Sequence, residues 1–490
     1  MKSYIGIDLG TSGVKLIMVD EDGRILNTVT KSYPISYPFD GWSEQSPEDW
    51  YNATIDGLSE LVKCCDKSSI EALSFGGQMH GLVLLDKNDN VIRPAILWND
   101  GRTQAETDYL NDIIGKERLS EFTANIAFCG FTLPKILWVK NNEPDNFGKI
   151  EKIMLPKDYL AYKLSGVFAT DFSDASGMLL LDVKNRKWSK EMIEIGGIKE
   201  EMLPSLHESY EKIGTLKPET ASKLGLGEIS IIIGAGDNAA AAIGTGTVNN
   251  GDCNISLGTS GTVFVSQDSF FVDNSNALHS FCHSNGKYHL MGCILSAASC
   301  NKWWAEDILG TNNFKAEESE CEKYMGENSV MFLPYLMGER SPHNDVSARG
   351  AFIGMRPDTS RKQMTLAVLE GVAFALRDCV EIAKSSGVKI ERTKLCGGGA
   401  KSPLWRKIMA NVLGIDVIRP ETEEGPAYGG AILAMVGTGK FNTVNEACSI
   451  LIKERDVTSP EPILTEKYEK KYNLFKKLYP TLKDIYKQFQ

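Results

Sequence analysis

Two copies of the pentapeptide Leu-Gly-Thr-Ser-Gly, at residues 9–13 and 257–261, stand out as residues that could do chemistry. Each copy follows a short apolar stretch that is typical of a β-strand. Glycines in a tight turn let backbone N–H groups approach an anion, and the hydroxyls add further donors, so such a turn suits phosphate. A plain hairpin turn is the alternative for one copy taken alone. The repeat, spaced by about half the chain, predicts two related domains that face one ligand.

The two copies differ in the residue before the pentapeptide, which is Asp8 in the first copy and Ser256 in the second. Mg²⁺ prefers oxygen ligands and retains several waters, so one carboxylate beside phosphates is sufficient to hold it. We therefore predict that Asp8 holds Mg²⁺ directly or through water, and an aspartate that only caps the turn is the alternative. Lys15, two residues past the turn, could face the phosphates or the solvent. The residues predicted to contact phosphate are Thr11, Ser12, Gly13, Gly258, Thr259 and Ser260.

A third candidate is Asp237, which follows an apolar strand at 229–233 and the tripeptide Gly-Ala-Gly, and which precedes a helix-forming run of alanines. The N-terminus of a helix favours the ionised form of a carboxylate through its dipole and its unpaired N–H groups. An ionised carboxylate can accept the proton of a hydroxyl nucleophile, so this position predicts a general base. A helix N-cap is the alternative, because aspartate is common there.

The composition favours a cytoplasmic enzyme. The net charge is −11, and no basic cluster occurs except in the lysines of the C-terminal segment, which argues against nucleic acid or an anionic membrane surface as a partner. The N-terminus reaches a charged residue too soon for a signal peptide, and no apolar run approaches the length of a membrane span. Eleven cysteines, an odd number with no C-x-x-C spacing, indicate the reduced thiols of a cytosolic protein.

The elements that must position these residues follow from the apolar pattern. Runs of β type alternate with longer helical stretches, which predicts a layered α/β protein. Strands at 4–7, 14–19 and 25–29 predict an antiparallel meander at the start of the chain, and the second half restarts the same pattern at 253–265. The meanders therefore place the two repeated turns at equivalent points of two domains.

A chain of 490 residues is too long for one core and implies two domains of ordinary size. The boundary is predicted near 244–251, after a helix of small residues, which divides the chain into domains at 1–246 and 247–490. Aromatic residues at helical spacing in the segment 466–490 predict an amphipathic helix docked on the body of the protein. Pro480 is predicted to break or kink that helix.

Five segments carry a resemblance to a known family: Ile7–Lys15, Gly130–Trp138, Gly236–Asn238, Gly350–Gly354 and Ala367–Glu370. Together they resemble the signatures of the FGGY carbohydrate kinases, and the match spans nearly the whole chain. The resemblance implies two α/β domains of the actin and hexokinase type, which is a ribonuclease H-like fold with a mixed sheet and flanking helices in each domain. It also implies that ATP binds in the cleft between the domains and that its γ-phosphoryl group is transferred to a sugar hydroxyl.

Within that family, the segments 77–81, 94–102 and 155–160 are most similar to those of members that phosphorylate xylulose. The expected reaction is therefore the Mg²⁺-requiring phosphorylation of a pentulose by ATP, with D-xylulose converted to D-xylulose 5-phosphate. A kinase for another ketose or polyol, such as ribulose or glycerol, is the alternative within the family. A non-catalytic actin-like protein that binds ATP or senses a sugar is a third reading. A homodimer is expected by resemblance alone.

The family match adds roles to individual residues. Asp237 becomes the expected general base, and Asn238 is expected to hydrogen-bond a neighbouring sugar hydroxyl. Met79 and His80 are expected to contact the sugar, since a neutral imidazole both donates and accepts and a methionine supplies an adaptable apolar wall. Trp98 could line the sugar pocket or pack in the core.

The adenosine part of ATP is expected at the glycine-rich turn 396–400, with Gly398 and Gly399 close to the nucleotide. Glycines there would let the purine ring and the ribose lie against the backbone. Close packing of a strand-to-helix turn is the alternative. Neither a G-x-x-x-x-G-K-[ST] loop nor a G-x-G-x-x-G fingerprint occurs, which argues against the commonest other nucleotide sites.

Overall fold

The computed structural model describes residues 2–422 and 424–489, with the side chain of Cys64 left out, so Met1, Glu423 and Gln490 of the predicted domains lie outside the described residues. The strands are β1 Ser3–Leu9, β2 Gly13–Asp20, β3 Ile25–Ser32, β4 Glu44–Gln45, β5 Ile70–Gly77, β6 Val83–Leu85, β7 Ala95–Ile96, β8 Lys152–Met154, β9 Ala169–Asp171, β10 Leu181–Asp182, β11 Lys187–Trp188, β12 Ser205–His207, β13 Lys212–Thr215, β14 Ser230–Ile232, β15 Ala235–Gly236, β16 Cys253–Leu257, β17 Gly261–Gln267, β18 His279–Cys282, β19 Tyr288–Ile294, β20 Met331–Leu333, β21 Ala351–Ile353, β22 Arg392–Cys396, β23 Asp416–Pro420 and β24 Glu454–Thr458.

The α-helices are α1 Pro47–Leu61, α2 Gln104–Asp108, α3 Lys116–Thr123, α4 Thr132–Asn142, α5 Pro144–Phe147, α6 Pro156–Ser165, α7 Phe172–Ala175, α8 Lys190–Gly196, α9 Pro218–Leu224, α10 Asp237–Gly244, α11 Ala298–Lys302, α12 Phe314–Glu318, α13 Arg361–Lys384, α14 Pro403–Leu413, α15 Gly425–Gly437, α16 Val444–Leu451 and α17 Pro462–Tyr486. Two π-helical turns cover Tyr109–Gly115 and Trp303–Ile308. The 3₁₀ turns are Val62–Cys64, Lys67–Ser69, Ser176–Met178, Glu200–Met202, Cys321–Tyr324, Gly398–Lys401 and Lys487–Phe489. None of the helices in the described ranges is long and apolar enough to span a membrane.

The repeated pentapeptides join equivalent strands of two large sheets. In the first sheet, β1 pairs antiparallel with β2 and parallel with β5, and the order is β13-β14-β5-β1-β2-β3, with β15 also on β5. In the second sheet, β16 pairs antiparallel with β17 and parallel with β22, and the order is β18-β19-β17-β16-β22-β23-β24. Both sheets are therefore mixed, and both pentapeptides lie in the hairpin that follows the strand at the parallel junction.

Helices cover the two faces of the first sheet in different ways. One face packs against α1 and α6 over a large apolar core. The other face packs against α10 and α15, so a helix from the second half of the chain lies on the first sheet. A Cβ at Gly6 would lie 1.8 Å from the carbonyl oxygen of Ala427, and one at Gly429 would lie 1.9 Å from that of Ala240. Glycine is needed at both positions because the backbones approach too closely for a side chain.

The apolar core of the second domain is formed by the second sheet together with α13, α14 and α17. The helix α17 runs through Pro480 to Tyr486, so the prediction of a break at that proline is wrong. A proline in a helix interior costs about 3 kcal/mol or more. The buried rings of Tyr468, Phe475 and Tyr479 on the same helix offset this cost, since burying one large apolar side chain contributes about 1.5–3 kcal/mol.

The segment between β5 and β13 builds a further apolar cluster beside the first sheet, and strands of the second sheet enter it. Phe281 of β18 is fully buried in this cluster together with Phe131. Next to Phe281, Ser280 exchanges two buried hydrogen bonds with Asn125: its carbonyl accepts from Asn125 Nδ2 at 2.9 Å, and its N–H donates to Asn125 Oδ1 at 3.2 Å. The two halves of the chain are thus joined at one side of the cleft between them.

Candidate active site

Three parallel strands of the first sheet end at the same level and bring the predicted site residues together. Leu9 of β1 pairs with Gly77 of β5, and Gly77 pairs with Gly236 of β15. The residues that follow these strands are the first pentapeptide turn, the segment 78–80 and Asp237. Since parallel strands present their carboxyl ends at one edge, the sheet places the phosphate turn, the expected sugar residues and the expected base side by side.

Asp237 is the first residue of α10 and faces a cleft of about 270 Å³ that Asn238, Ser256, Thr262 and Gly397 also line. Its Oδ1 accepts hydrogen bonds from the backbone N–H of Asn238 at 2.7 Å and from Asn238 Nδ2 at 2.9 Å. Burial raises the pKa of Asp237 to about 6, and the two hydrogen bonds from Asn238 oppose that rise. The group is therefore ionised near neutral pH but more basic than an ordinary aspartate, which suits a proton acceptor.

Asp8 lies at the end of β1, beside Asp237. Burial and, to a lesser extent, the negative charge of Asp237 raise the pKa of Asp8 to about 7, whereas Lys15 opposes that rise. Two carboxylates that repel one another at a phosphate turn form a donor set that a hard divalent cation stabilises. The residues present therefore fit Mg²⁺, and Asp8 is the carboxylate that would hold it.

Lys15 faces the same side of the sheet as Asp8, which is its cross-strand partner. Its Nζ lies 2.8 Å from Oε2 of Glu424, the residue that precedes α15. The two side chains are 38% and 27% exposed. The structure thus directs Lys15 to a carboxylate and leaves its side chain partly exposed, and a contact with phosphate stays a prediction.

His80 has a left-handed backbone conformation with φ of 68°, which is uncommon for a residue other than glycine and is found at functional sites. Its Nδ1 lies 2.9 Å from the carbonyl oxygen of Gly177. A carbonyl only accepts, so Nδ1 carries the proton. Burial and, to a lesser extent, the charge of Lys135 lower the pKa of His80 to about 3, so the ring is neutral and its Nε2 is an acceptor.

Met79 lies between the imidazole and the expected base. Its sulfur is 4.0 Å from Asn238 Nδ2, and a Cβ added to Gly236 would lie 2.9 Å from Met79 Cγ. The structure therefore brings Met79, with His80 next to it in the chain, into contact with Asn238, which lines the cleft together with Asp237.

Trp98 is 40% exposed, and its Nε1 donates a hydrogen bond of 3.0 Å to Thr11 Oγ1. An indole with this exposure is not packed in the core, which was the alternative for this side chain. The contact places the indole at the first phosphate turn. Ser12 and Gly13 complete that turn, and Ser12 is exposed.

The second pentapeptide borders a separate cavity of about 1000 Å³. Gly258 and Thr259 lie at one end of it, and Gly398 and Gly399 line its wall. No atom lies within 4 Å of a Cβ built on Gly398, so its backbone is open to the cavity. Ser260 is half-buried at the start of β17. The cavity has the size of a nucleotide pocket, since small-ligand sites span about 300–1,000 Å³.

Residues 3–244 match the N-terminal domain of the FGGY family of carbohydrate kinases, and residues 253–438 match its C-terminal domain. The chain belongs to the FGGY family. Membership makes it an enzyme, a sugar kinase, and a kinase of this family uses ATP. The resemblance read from the sequence is confirmed.

Relatives of this FGGY chain are similar over their full length. It is 39% identical to the xylulose kinase of Escherichia coli (strain K12) over 98% of this chain and 99% of that protein. It is 38% identical to the xylulose kinase of Bacillus subtilis (strain 168) over 99% and 98% of the two chains. A crystal structure of a xyloylose kinase from Brucella ovis superimposes with a TM-score of 0.94 at 38% identity, covering 99% of this chain and 100% of that one. The predicted two-domain fold of actin and hexokinase type is confirmed.

Sequence reasoning missed several residues that line the large cavity or contact His80. The far wall of the large cavity comes from a stretch with no motif, and its members are Ala298, Ser299, Asn301, Lys302, Glu306, Phe314, Lys315 and Glu318. Lys135, which is fully buried, donates hydrogen bonds to the carbonyl of His80 at 2.9 Å and to that of Gly130 at 2.5 Å. A lysine within the apolar stretch Gly130–Trp138 was the available signal, because a buried lysine needs partners.

Proposed function

We propose that this chain transfers the γ-phosphoryl group of ATP to the terminal hydroxyl of D-xylulose, which forms D-xylulose 5-phosphate and ADP. The observation that carries the proposal is the position of Asp237. Asp237 lines the cleft together with Ser256, which lies just before the second pentapeptide, and its neighbour Asn238 contacts Met79. Met79, His80 and Asn238 form the proposed sugar-side wall. Xylulose is proposed as the sugar because the full-length relatives are named as xylulose kinases.

In the proposed reaction, Asp237 accepts the proton of the sugar hydroxyl while that oxygen bonds to the γ-phosphorus. The bond between the γ-phosphorus and the bridging oxygen breaks, and ADP leaves with the electron pair. The protein contributes positioning and charge stabilisation, as in other phosphoryl transfers. Thr11, Ser12 and Gly13 would hold the phosphates from the first domain.

The second domain would hold the nucleotide from the other side. Gly258, Thr259 and Ser260 would contact the β- or γ-phosphate, and Gly398 and Gly399 would contact the adenosine. Asp8 would bind Mg²⁺, which supplies charge neutralisation on the phosphates when it is bound. Lys15 would exchange its pairing with Glu424 for a phosphate oxygen.

The sugar-side wall would distinguish sugars by the positions of their hydroxyl groups. His80 Nε2 is an acceptor, so it would accept a hydrogen bond from a sugar hydroxyl, and Asn238 Nδ2 would donate one. Met79 and Trp98 would supply apolar contact. A site built in this way rejects an epimer because its polar groups are left unpaired.

The proposal also includes the domain boundary, the cellular location and the oligomeric state. We propose a domain boundary between residues 246 and 247, which separates the two sheets. The cytoplasm is proposed as the location, as the composition predicted. A homodimer stays a prediction.

The proposal is tested with purified protein, ATP and Mg²⁺ by coupled detection of ADP over a panel of pentuloses, hexuloses and glycerol. D-Xylulose is expected to have a kcat/KM at least about tenfold above D-ribulose, L-ribulose and glycerol. A preference for one of the other substrates would refute the xylulose assignment and support the second candidate, a kinase for another ketose or polyol. Absence of sugar-stimulated ADP release across the panel would refute the kinase proposal.

A further inference from the structure

The segment Asp171–Gly177 lies directly behind the sugar-side wall and contacts it at two points. At its end, the Gly177 carbonyl accepts the hydrogen bond from His80 Nδ1. Near its start, Ser173 Oγ accepts a hydrogen bond of 3.2 Å from the backbone N–H of Gly236, the residue before Asp237. One short segment thus contacts both the imidazole and the strand that presents the base.

The hydroxyl of Ser173 has only one possible orientation. Its Oγ lies 2.5 Å from Asp171 Oδ2, and an ionised carboxylate only accepts, so the hydroxyl proton points to Asp171. The lone pairs of Ser173 Oγ are therefore left for Gly236. The serine side chain is fully buried, so this contact is shielded from bulk solvent.

Asp171 is in turn held on both of its oxygens. Oδ2 also accepts from the backbone N–H of Ser173 at 2.9 Å and from Ser209 Oγ at 2.7 Å, and Oδ1 lies 3.1 Å from Lys157 Nζ. Lys157 Nζ also lies 2.6 Å from Asp158 Oδ1. All of these side chains are buried, and buried charges persist only when they are paired, so the position of Asp171 is strongly determined.

Gly236 is confined from its other side as well. A Cβ on this residue would lie 2.9 Å from Met79 Cγ and 3.1 Å from Met79 Sδ, so the backbone fits between the methionine and the serine. Besides its pairing with Gly77, Gly236 is therefore held by the hydrogen bond from its N–H and by a steric contact at its Cα, one residue before Asp237. A misplacement of about 1 Å at a reacting group can cost about 100-fold in rate.

We propose that Ser173 is a positioning residue for the base: through its hydrogen bond to the Gly236 N–H, it transmits the fixed position of the Lys157–Asp171 pair to the Asp237 carboxylate. The inference rests on the proposed function, since it assumes that Asp237 is the base. Ser173 itself touches neither substrate nor reacting atoms.

The chain offers a matched control. Ser209 donates to the same Asp171 oxygen and is equally buried, but no hydrogen bond joins Ser209 to Gly236 within the described residues. Ser173→Ala and Ser209→Ala thus remove the same group from the same carboxylate, and only the first leaves the Gly236 N–H without its partner. Both variants are expected to lose thermal stability, and Ser173→Ala is expected to lose more, because it leaves a buried N–H donor unpaired.

The two variants are compared in steady-state kinetics and in pH profiles with the full-length protein, ATP and D-xylulose. Ser173→Ala is expected to lower kcat by about 10- to 100-fold, to leave KM for ATP within about twofold, and to move the acid-side midpoint of the kcat/KM profile. Ser209→Ala is expected to keep kcat within about twofold and to keep the midpoint. Equal kinetics of the two variants would overturn the proposal.

Two further variants keep the test decisive. If Ser173→Ala does not fold, Ser173→Cys keeps a side chain of similar size with a poor hydrogen-bonding atom, and the same loss of kcat is expected. Asp237→Asn is measured alongside. Wild-type turnover of Asp237→Asn would overturn the proposed function, whereas an inactive Asp237→Asn with a fully active, folded Ser173 variant would overturn only the positioning role.

Discussion

Lys15 Nζ and Glu424 Oε2 form an ion pair of 2.8 Å that links the strand after the first phosphate turn to the start of α15. Both side chains are about one-third exposed, and a pair of this kind contributes little to stability, about 0–1 kcal/mol. The ion pair therefore holds the Lys15 amine only weakly. The amine can exchange the Glu424 carboxylate for a phosphate oxygen with little loss of stability.

The first prediction concerns this exchange. Lys15→Met is expected to raise KM for ATP about 10- to 100-fold, because one charge-assisted contact of about 1.5–3 kcal/mol is lost, and to leave the melting temperature nearly unchanged. Glu424→Gln is the control, because it removes only the competing carboxylate and should leave KM for ATP unchanged or lower. Steady-state kinetics with varied ATP measures both. An unchanged KM in Lys15→Met would mean that Lys15 does not contact phosphate.

The second prediction concerns Asp237. Loss of a general base costs about 10²- to 10⁴-fold in rate, so Asp237→Asn should bind nucleotide and turn over very slowly. The raised pKa of Asp237 means that folding disfavours its ionised form, so the neutral amide should not lower stability near pH 7. Single-turnover kinetics and thermal unfolding check the two parts. Near wild-type kcat would show that Asp237 is not the base.

The third prediction is the pH dependence of the reaction. Only ionised Asp237 accepts a proton, and its pKa is about 6, so kcat/KM should be constant above that value and fall as the pH drops through it. One pH unit below the pKa, about one-tenth of the molecules carry the ionised base, and the rate should fall about tenfold. A pH–rate profile measures the midpoint. A midpoint near the ordinary aspartate pKa of about 4 would contradict the buried setting of this group.

The fourth prediction concerns closure of the cleft. The two pentapeptide turns lie on two sheets, so both can hold the phosphates only if the domains approach, and closure also excludes water that would hydrolyse ATP. Sugar together with a non-hydrolysable ATP analogue should make the particle more compact than ligand-free protein or sugar alone. Small-angle scattering measures the radius of gyration in each state. Superimposable profiles in all states would count against hinge closure.

The fifth prediction concerns His80 and selectivity. His80→Ala removes the Nε2 acceptor and should narrow the preference for D-xylulose over D-ribulose more than it changes basal ATP hydrolysis. The measurement is kcat/KM for both pentuloses and ATP hydrolysis without sugar, in wild type and variant. If the ratio of the two kcat/KM values stayed the same, His80 would not form a hydrogen bond that distinguishes the two pentuloses.

Local patterns predicted much of this fold. The meander strands at 4–7, 14–19 and 25–29 correspond to β1, β2 and β3, and Asp237 begins a helix as the strand-to-helix pattern predicted. These features depend on residues close in sequence, where alternation, turn glycines and helix N-terminal preferences act directly. The prediction of a helix break at Pro480 was wrong because helix propensity is a local quantity, and packing of the buried aromatic face of α17 overrides it.

Taken alone, the sequence determined the fold class and the family, because the repeated pentapeptide and the family segments are contiguous motifs, whereas the roles of Asp8 and Asp237 stay predictions. Tertiary structure decided which distant groups meet. The carboxylate that pairs with Lys15, the tautomer of His80 fixed by Gly177, the contact of Trp98 with Thr11 and the hydrogen bond from Gly236 to Ser173 all join residues at least 63 positions apart. Such contacts depend on how strands align and helices pack, and no short-range preference encodes them.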